Sequence, residues 1–287
     1  MLPLLMLACS PLSDPEMLLT PDPSVDVLVA GERGPHGAAL VEARAQARVS
    51  DAVPLDIVYP SDGAGVPSVT GAAVVVFVHG GLVGPERYHW LAAYLATRGW
   101  VSVLPQADLK LAITEPGNSA IALERLRDLA ERTDELRDLV DDGSPVLPMG
   151  HSLGGVLATM HWTTEQPVDG LVLLASFPAA STATDEGPPT PVLALTGTTD
   201  VFDWKRLEGE LDRFRGPTTD ARIEGMNHYA WTDDATEGEL NSDGPQERPV
   251  GDTRQDALRV LDTWIDVRLF GADEVLLEAD FPGATLR

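Results

Sequence analysis

Ser152, Asp200 and His228 are the residues whose types and spacing carry the most chemistry in this chain. A serine hydroxyl is a weak nucleophile until a base takes its proton, and that base needs a third group to hold its tautomer. Ser152 stands in Gly150-His151-Ser152-Leu153-Gly154, a G-x-S-x-G. Residues 145–149 before it are apolar and read as a buried strand, and residues 155–160 after it read as the first turns of a helix. A serine at such a junction sits on a tight turn that lifts its hydroxyl clear of the sheet, and side chains at 150 or 154 would crowd that turn. Downstream, an apolar run at 192–196 leads through Gly197-Thr198-Thr199 to Asp200, and residues 223–227 lead to His228. Serine, acid and histidine thus each fall just past a strand end, the rim where open α/β sheets gather their sites. Asp203 is close enough to compete with Asp200 as the acid.

A tetrahedral intermediate needs N–H donors for its oxyanion. One expected donor is the backbone of Leu153, the residue after the serine. The second is expected in His79-Gly80-Gly81-Leu82, directly after a β-branched run at 72–78. Gly81 is the expected donor there, with Leu82 as the alternative if the turn is shifted by one. Leu82 would also touch substrate. His79 is expected to pin its loop and His151 to be a packing residue. His36, His89 and His161 carry no assigned role. Neither H-E-x-x-H nor a carboxylate cluster at ligand spacing occurs, and there is no Walker loop or dinucleotide fingerprint, so neither a metal nor a cofactor is expected.

The elements that must position these residues follow from periodicity. Residues 41–50 and 53–59 alternate and suggest an antiparallel pair, and buried strands are expected at 72–78, 100–104, 145–149, 170–175 and 192–196. A weaker strand is expected at 221–224. Helices are expected around Trp90–Leu95, over 121–140, over 153–165, and from a Thr253 cap to Gly271. This pattern predicts an α/β fold, a mostly parallel central sheet with helices on both faces, in one domain over 41–271. Residues 1–40 read as a leader, and 272–287 as a C-terminal tail of unassigned structure.

The chain has 287 residues, 20 Lys+Arg against 45 Asp+Glu and a net charge of −25. Such a surface repels phosphate backbones, so no nucleic-acid partner is expected. The single cysteine, Cys9, excludes an intramolecular disulfide. It follows an apolar run, Met1 to Ala8, and precedes a Pro/Ser linker, which resembles the end of a bacterial lipoprotein signal. On that reading Cys9 is lipidated and the protein is extracytoplasmic and membrane-attached. The run is short and lacks a basic start, and the alternative is a frayed N-terminus on a cytoplasmic protein.

From about residue 50 to 270 the chain resembles the α/β-hydrolase superfamily, and within it the branch of dienelactone-hydrolase-like enzymes, chlorophyllases and cutinase-like polyester hydrolases. The resemblance rests on residues 74–81 and 94–101, the 150–155 elbow, 223–228, and Val103-Leu104-Pro105-Gln106. It implies an α/β-hydrolase fold and hydrolysis of a small or polymeric ester through an acyl-serine. It also suggests Phe177 as a substrate-stacking aromatic; the alternative for Phe177 is a residue at the rim of the core. The paired C-terminal cysteines of secreted cutinase-like enzymes are absent. The interval between Ser152 and Asp200 is too short for a large lid domain, whereas the acidic segment 229–252 is long enough to overhang the site. Thioester, peptide or acyl-transfer chemistry on the same three residues is the main alternative, and a non-catalytic binding protein a further one.

Overall fold

The structure is a computed structural model and describes residues 34–43, 53–62, 64–107, 118–162, 168–179, 189–201 and 204–287. Cys9, Asp203 and residues 44–50 of the first expected strand lie outside the described residues. Among the described residues, no helix is long and apolar enough to cross a membrane.

The strands are Gly37–Ala43 (β1), Leu55–Ser61 (β2), Val74–Val78 (β3), Val101–Pro105 (β4), Val146–His151 (β5), Leu171–Leu174 (β6), Val192–Gly197 (β7), Thr218–Ile223 (β8) and Ala284–Leu286 (β9). They form one nine-stranded sheet in the order β1-β2-β4-β3-β5-β6-β7-β8-β9. From β4 through β8 every neighbouring pair is parallel, whereas β1, β2 and β9 add antiparallel edges.

Every residue of β3 is buried because successive side chains enter opposite layers. Val75 and Phe77 join Leu91 and Leu95 of helix α1 (His89–Thr97) and Leu261 and Trp264 of α6 (Val250–Arg268). Val74 and Val76 join Leu126 and Leu129 of α2 (Asn118–Arg132). Farther along that second face, Leu157 of α3 (Leu153–Trp162) and Leu207 of α4 (Trp204–Leu211) cover β6 and β7. Each fully buried Leu or Ile in these layers contributes about 1.5–3 kcal/mol. A short helix, α5 (Glu237–Ser242), lies outside both layers with no buried residue.

Several boundaries differ from the sequence expectation. The sheet takes in residues 37–40, assigned above to the leader, because the small apolar Ala38 and Ala39 pack in β1. Helix α2 stops at Arg132 rather than at 140. The N–H groups of Gly71 and Ala72 take the carbonyls of Asp138 and Leu139, at 3.0 and 2.8 Å, and so hold that stretch as turns. Leu136 and Leu139 remain buried, so turns here preserve the apolar spacing that reads as helix. Helix α6 starts at Val250, and Thr253 lies within its first turn, donating to the Val250 carbonyl at 3.0 Å. Gly271, at φ 72°, lies just beyond its end. The pattern gave no sign of α4, α5 or β9.

β9 comes from the tail. It pairs Ala284, Thr285 and Leu286 with Ile223, Arg222 and Ala221 of β8. Leu277, Phe281 and Leu286 are half-buried against the core under α6. The strand thereby covers the edge that precedes His228. A chain ending at Gly271 is expected to melt about 3–10 °C lower, from a loss of roughly 1–3 kcal/mol. An unchanged thermal transition would show that β9 adds nothing to the sheet.

Candidate active site

β5 ends at His151 and α3 begins at Leu153, so Ser152 alone makes the turn between them, at φ 54°. A non-glycine residue in this region costs on the order of 1–3 kcal/mol and persists only where its surroundings impose it. Here the Ser152 N–H is held by the Leu174 carbonyl at 2.9 Å, and the Ser152 carbonyl accepts from Gly155 N–H at 3.1 Å. The close approach of strand and helix fixes the rest. A Cβ on Gly150 would lie 2.5 Å from the Gly154 backbone, and one on Gly154 would lie 2.1 Å from the Val78 carbonyl oxygen.

Ser152 opens onto a cavity of about 400 Å³ whose lining includes Asp200, His228, Phe177, Tyr229 and Asp243. Asp200, in the loop after β7, is 6% exposed. The His228 Nδ1 lies 3.3 Å from each of its carboxylate oxygens. Ser152 Oγ makes no hydrogen bond to His228 among the described residues; such contacts commonly tighten only when substrate binds.

Gly81 lies against Leu153, for a Cβ on it would stand 3.4 Å from Leu153 Cδ2. Leu153 opens α3, where a helix leaves its first N–H groups without intrahelical partners. The two expected oxyanion donors are therefore neighbours. Leu82 departs from expectation as a substrate contact. It is 73% exposed at φ 63°, a left-handed turn that directs its side chain outward, and it is not part of the cavity lining. Phe177 lines the cavity and packs on the core beside β6, with the Arg206 guanidinium 4.4 Å from its ring centre.

His151 is buried, and its hydrogen bonds link three loops. The Gly80 N–H donates to the Tyr88 hydroxyl at 3.1 Å, and that hydroxyl lies 2.8 Å from His151 Nδ1. A neutral ring carries one proton, and the His228 carbonyl beside Nε2 can only accept, so Nδ1 is bare and accepts the Tyr88 O–H. The proton of His151 then sits on Nε2, 3.2 Å from the His228 carbonyl. Burial, then the neighbouring His228, pushes His151 well below its ordinary value of 6.5, so it stays neutral. His79 bonds the Gly80 carbonyl at 2.9 Å.

The acidic segment is docked beside the site, where its Tyr229, Ser242 and Asp243 line the cavity. Arg87 grips Glu239 of α5 through both oxygens, at 2.8 and 3.1 Å, and holds that carboxyl down at about 2. Asn227 Nδ2 donates to the carbonyls of Leu240 and Gly244. Asp243 reaches the cavity, and its carboxylate accepts the N–H groups of Val201 and His228, each at 3.0 Å.

A family model described as the alpha/beta hydrolase family matches residues 74–239, more than half of the chain. The chain belongs to the alpha/beta hydrolase family. A search of curated proteins gives no match. In this hydrolase, burial raises the Asp200 carboxyl above its usual range; the His228 hydrogen bond opposes that rise and the charge of Asp243 adds to it. Asp200, His228 and Asp243 offer ligand-type atoms within 4.8 Å of one another. These atoms already serve each other and the backbone, so the group reads as a hydrogen-bonded cluster.

Sequence reasoning missed Tyr88 and Asp243. Tyr88 has no motif, and Asp243 is one carboxylate among many; the Asp243-Gly244 turn signal was its only mark.

Two outcomes are expected. Gly154→Ala should destabilise the fold by about 1–3 kcal/mol, because its neighbour is backbone. Gly209→Ala, exposed in α4 with nothing within 4 Å of its Cβ position, should instead stabilise by roughly 0.5–1 kcal/mol. Urea unfolding of both variants separates the two effects. His151 also predicts a pH dependence. Its folded-state pKa lies below 6.5, so the unfolded chain binds the extra proton, and stability falls as pH drops below that value. His151→Phe should be less stable at neutral pH and show a flatter decline on acidification, read from urea melts between neutral and mildly acidic pH.

Proposed function

We propose that this hydrolase cleaves carboxylic esters through an acyl-enzyme on Ser152. The observation that carries the reading is a strained serine on a glycine-packed elbow, lining one cavity with a buried aspartate paired to a half-buried histidine. Ser152 Oγ bonds to the ester carbonyl carbon as its proton passes to His228 Nε2, and the carbonyl π electrons move onto oxygen. Asp200 holds Nδ1–H and stabilises the imidazolium. The N–H groups of Gly81 and Leu153 receive the oxyanion. Collapse expels the alcohol, which takes the proton from His228, and water repeats the sequence to release the acid.

Uncharged esters suit this site. Asp243 at the cavity and the net charge of −25 oppose anionic substrates, and Phe177, Leu153 and Val156 offer apolar contact. The resemblance to the dienelactone hydrolase, chlorophyllase and cutinase-like branch supports ester over peptide chemistry.

Ser152→Ala should lower kcat for p-nitrophenyl acetate by roughly a thousandfold or more, with KM little changed. Full turnover by that variant would sink the reading. Across p-nitrophenyl esters, uncharged acyl groups should exceed carboxylate-bearing ones of equal length in kcat/KM.

A further inference from the structure

We propose that Asp243 is a second carboxylate acting on the candidate base: it clamps the acid and base loops together and stabilises the imidazolium formed during turnover. This rests on the ester-hydrolase reading of the site.

Asp200 and His228 stand on different loops, after β7 and β8. Their separation must be held closely, because the Nδ1 contact orients the whole ring. One side chain spans both loops. Asp243 Oδ1 accepts the N–H of Val201, the residue after Asp200, and Oδ2 accepts the N–H of His228 itself, each at 3.0 Å. Two backbone donors on one carboxylate fix its position.

The rest of the strap is placed to hold it there. Gly244 sits so near the acid loop that a Cβ on it would lie 1.5 Å from the Thr199 carbonyl oxygen. The Asn227 side chain takes the carbonyls on either side of Asp243, those of Leu240 and Gly244, at 3.1 and 3.0 Å. Asn227 N–H donates to Gln246 at 3.0 Å. Arg87 anchors the start of the strap through Glu239.

The electrostatic role follows from the company His228 keeps. His151 packs against its ring, tilted by 46° with centres 4.6 Å apart, and it is neutral; Tyr229 meets the ring edge-on at 5.4 Å. Arg87, whose charge also reaches His151, is occupied by Glu239. Asp200 and Asp243 are thus the carboxylates placed to face a positive His228, each with a ligand atom within 4.8 Å of it. Asp200 acts at the ring and Asp243 at the backbone, so Asp243 is a positioning residue with a charge effect.

The test is the pH profile of kcat/KM for p-nitrophenyl acetate in Asp243→Asn and Asp243→Ser, with thermal melts of each. Loss of the charge should lower kcat about tenfold or more with KM little changed. It should also move the acid limb toward lower pH by roughly half a unit or more. Asp243→Glu should keep the limb near its wild-type place. Glu239→Gln, which frees the far end of the strap, should lower the melting temperature without moving the limb. Wild-type kcat with an unmoved limb in a folded Asp243→Asn or Asp243→Ser overturns the inference. So does failure of both variants to fold, which would assign Asp243 to stability. Ser152→Ala separates the two readings: its continued turnover removes the ester-hydrolase reading. An inactive Ser152→Ala beside an unaffected Asp243→Asn removes this inference alone.

Discussion

A helix can begin directly at the end of a buried strand only where the two backbones may touch, and that contact governs this molecule. At Gly150 and Gly154 a single methyl group would overlap neighbouring backbone atoms. With the contact made, Ser152 has no room for an ordinary turn and is driven to φ 54°. The strain is held by β6, whose Leu174 carbonyl takes the Ser152 N–H. The central strands are therefore also the support of the site. Their burial on both faces makes the rim stiff enough to keep a costly conformation.

Around that fixed point the remaining groups arrive on loops, and loops need ties. Two sets of hydrogen bonds supply them. On one side, Gly80, Tyr88, His151 and the His228 carbonyl form a chain whose polarity is set by the His228 carbonyl, which can only accept. It joins the glycine turn, the elbow and the His228 loop through groups that are buried and uncharged. On the other side, the Asp243 carboxylate joins the Asp200 and His228 loops. His228 is held by its carbonyl from one direction and by its N–H from the other, so its ring projects from a backbone fixed at both polar atoms.

How much of this was legible in the sequence depends on the range of the forces involved. The parallel strands could be read because burial on both faces demands unbroken apolar runs, as at Val74–Val78. The elbow and Asp200 could be read because each follows such a run, and His228 because it follows a weaker strand ending at Ile223. Residues 134–139 misled because buried turns and helices can share an apolar spacing; only the pairing of Gly71 and Ala72 with their carbonyls distinguishes them. β9 was invisible because its stability comes from β8 rather than from its own three residues. Asp243 was hidden among acidic neighbours, since what singles it out is contact with residues distant in the chain. Leu82 drew attention by lying beside Gly81, yet a left-handed turn sends its side chain to solvent.

The central claim is that chemistry passes through Ser152. The most direct measurement is mass spectrometry of the wild-type protein, acid-quenched during turnover of a p-nitrophenyl ester and digested. The peptide carrying Ser152 should gain the mass of one acyl group, with fragmentation placing it on that serine. Steady turnover with an acyl group found only on another residue, or with no adduct at any quench time, would contradict the account.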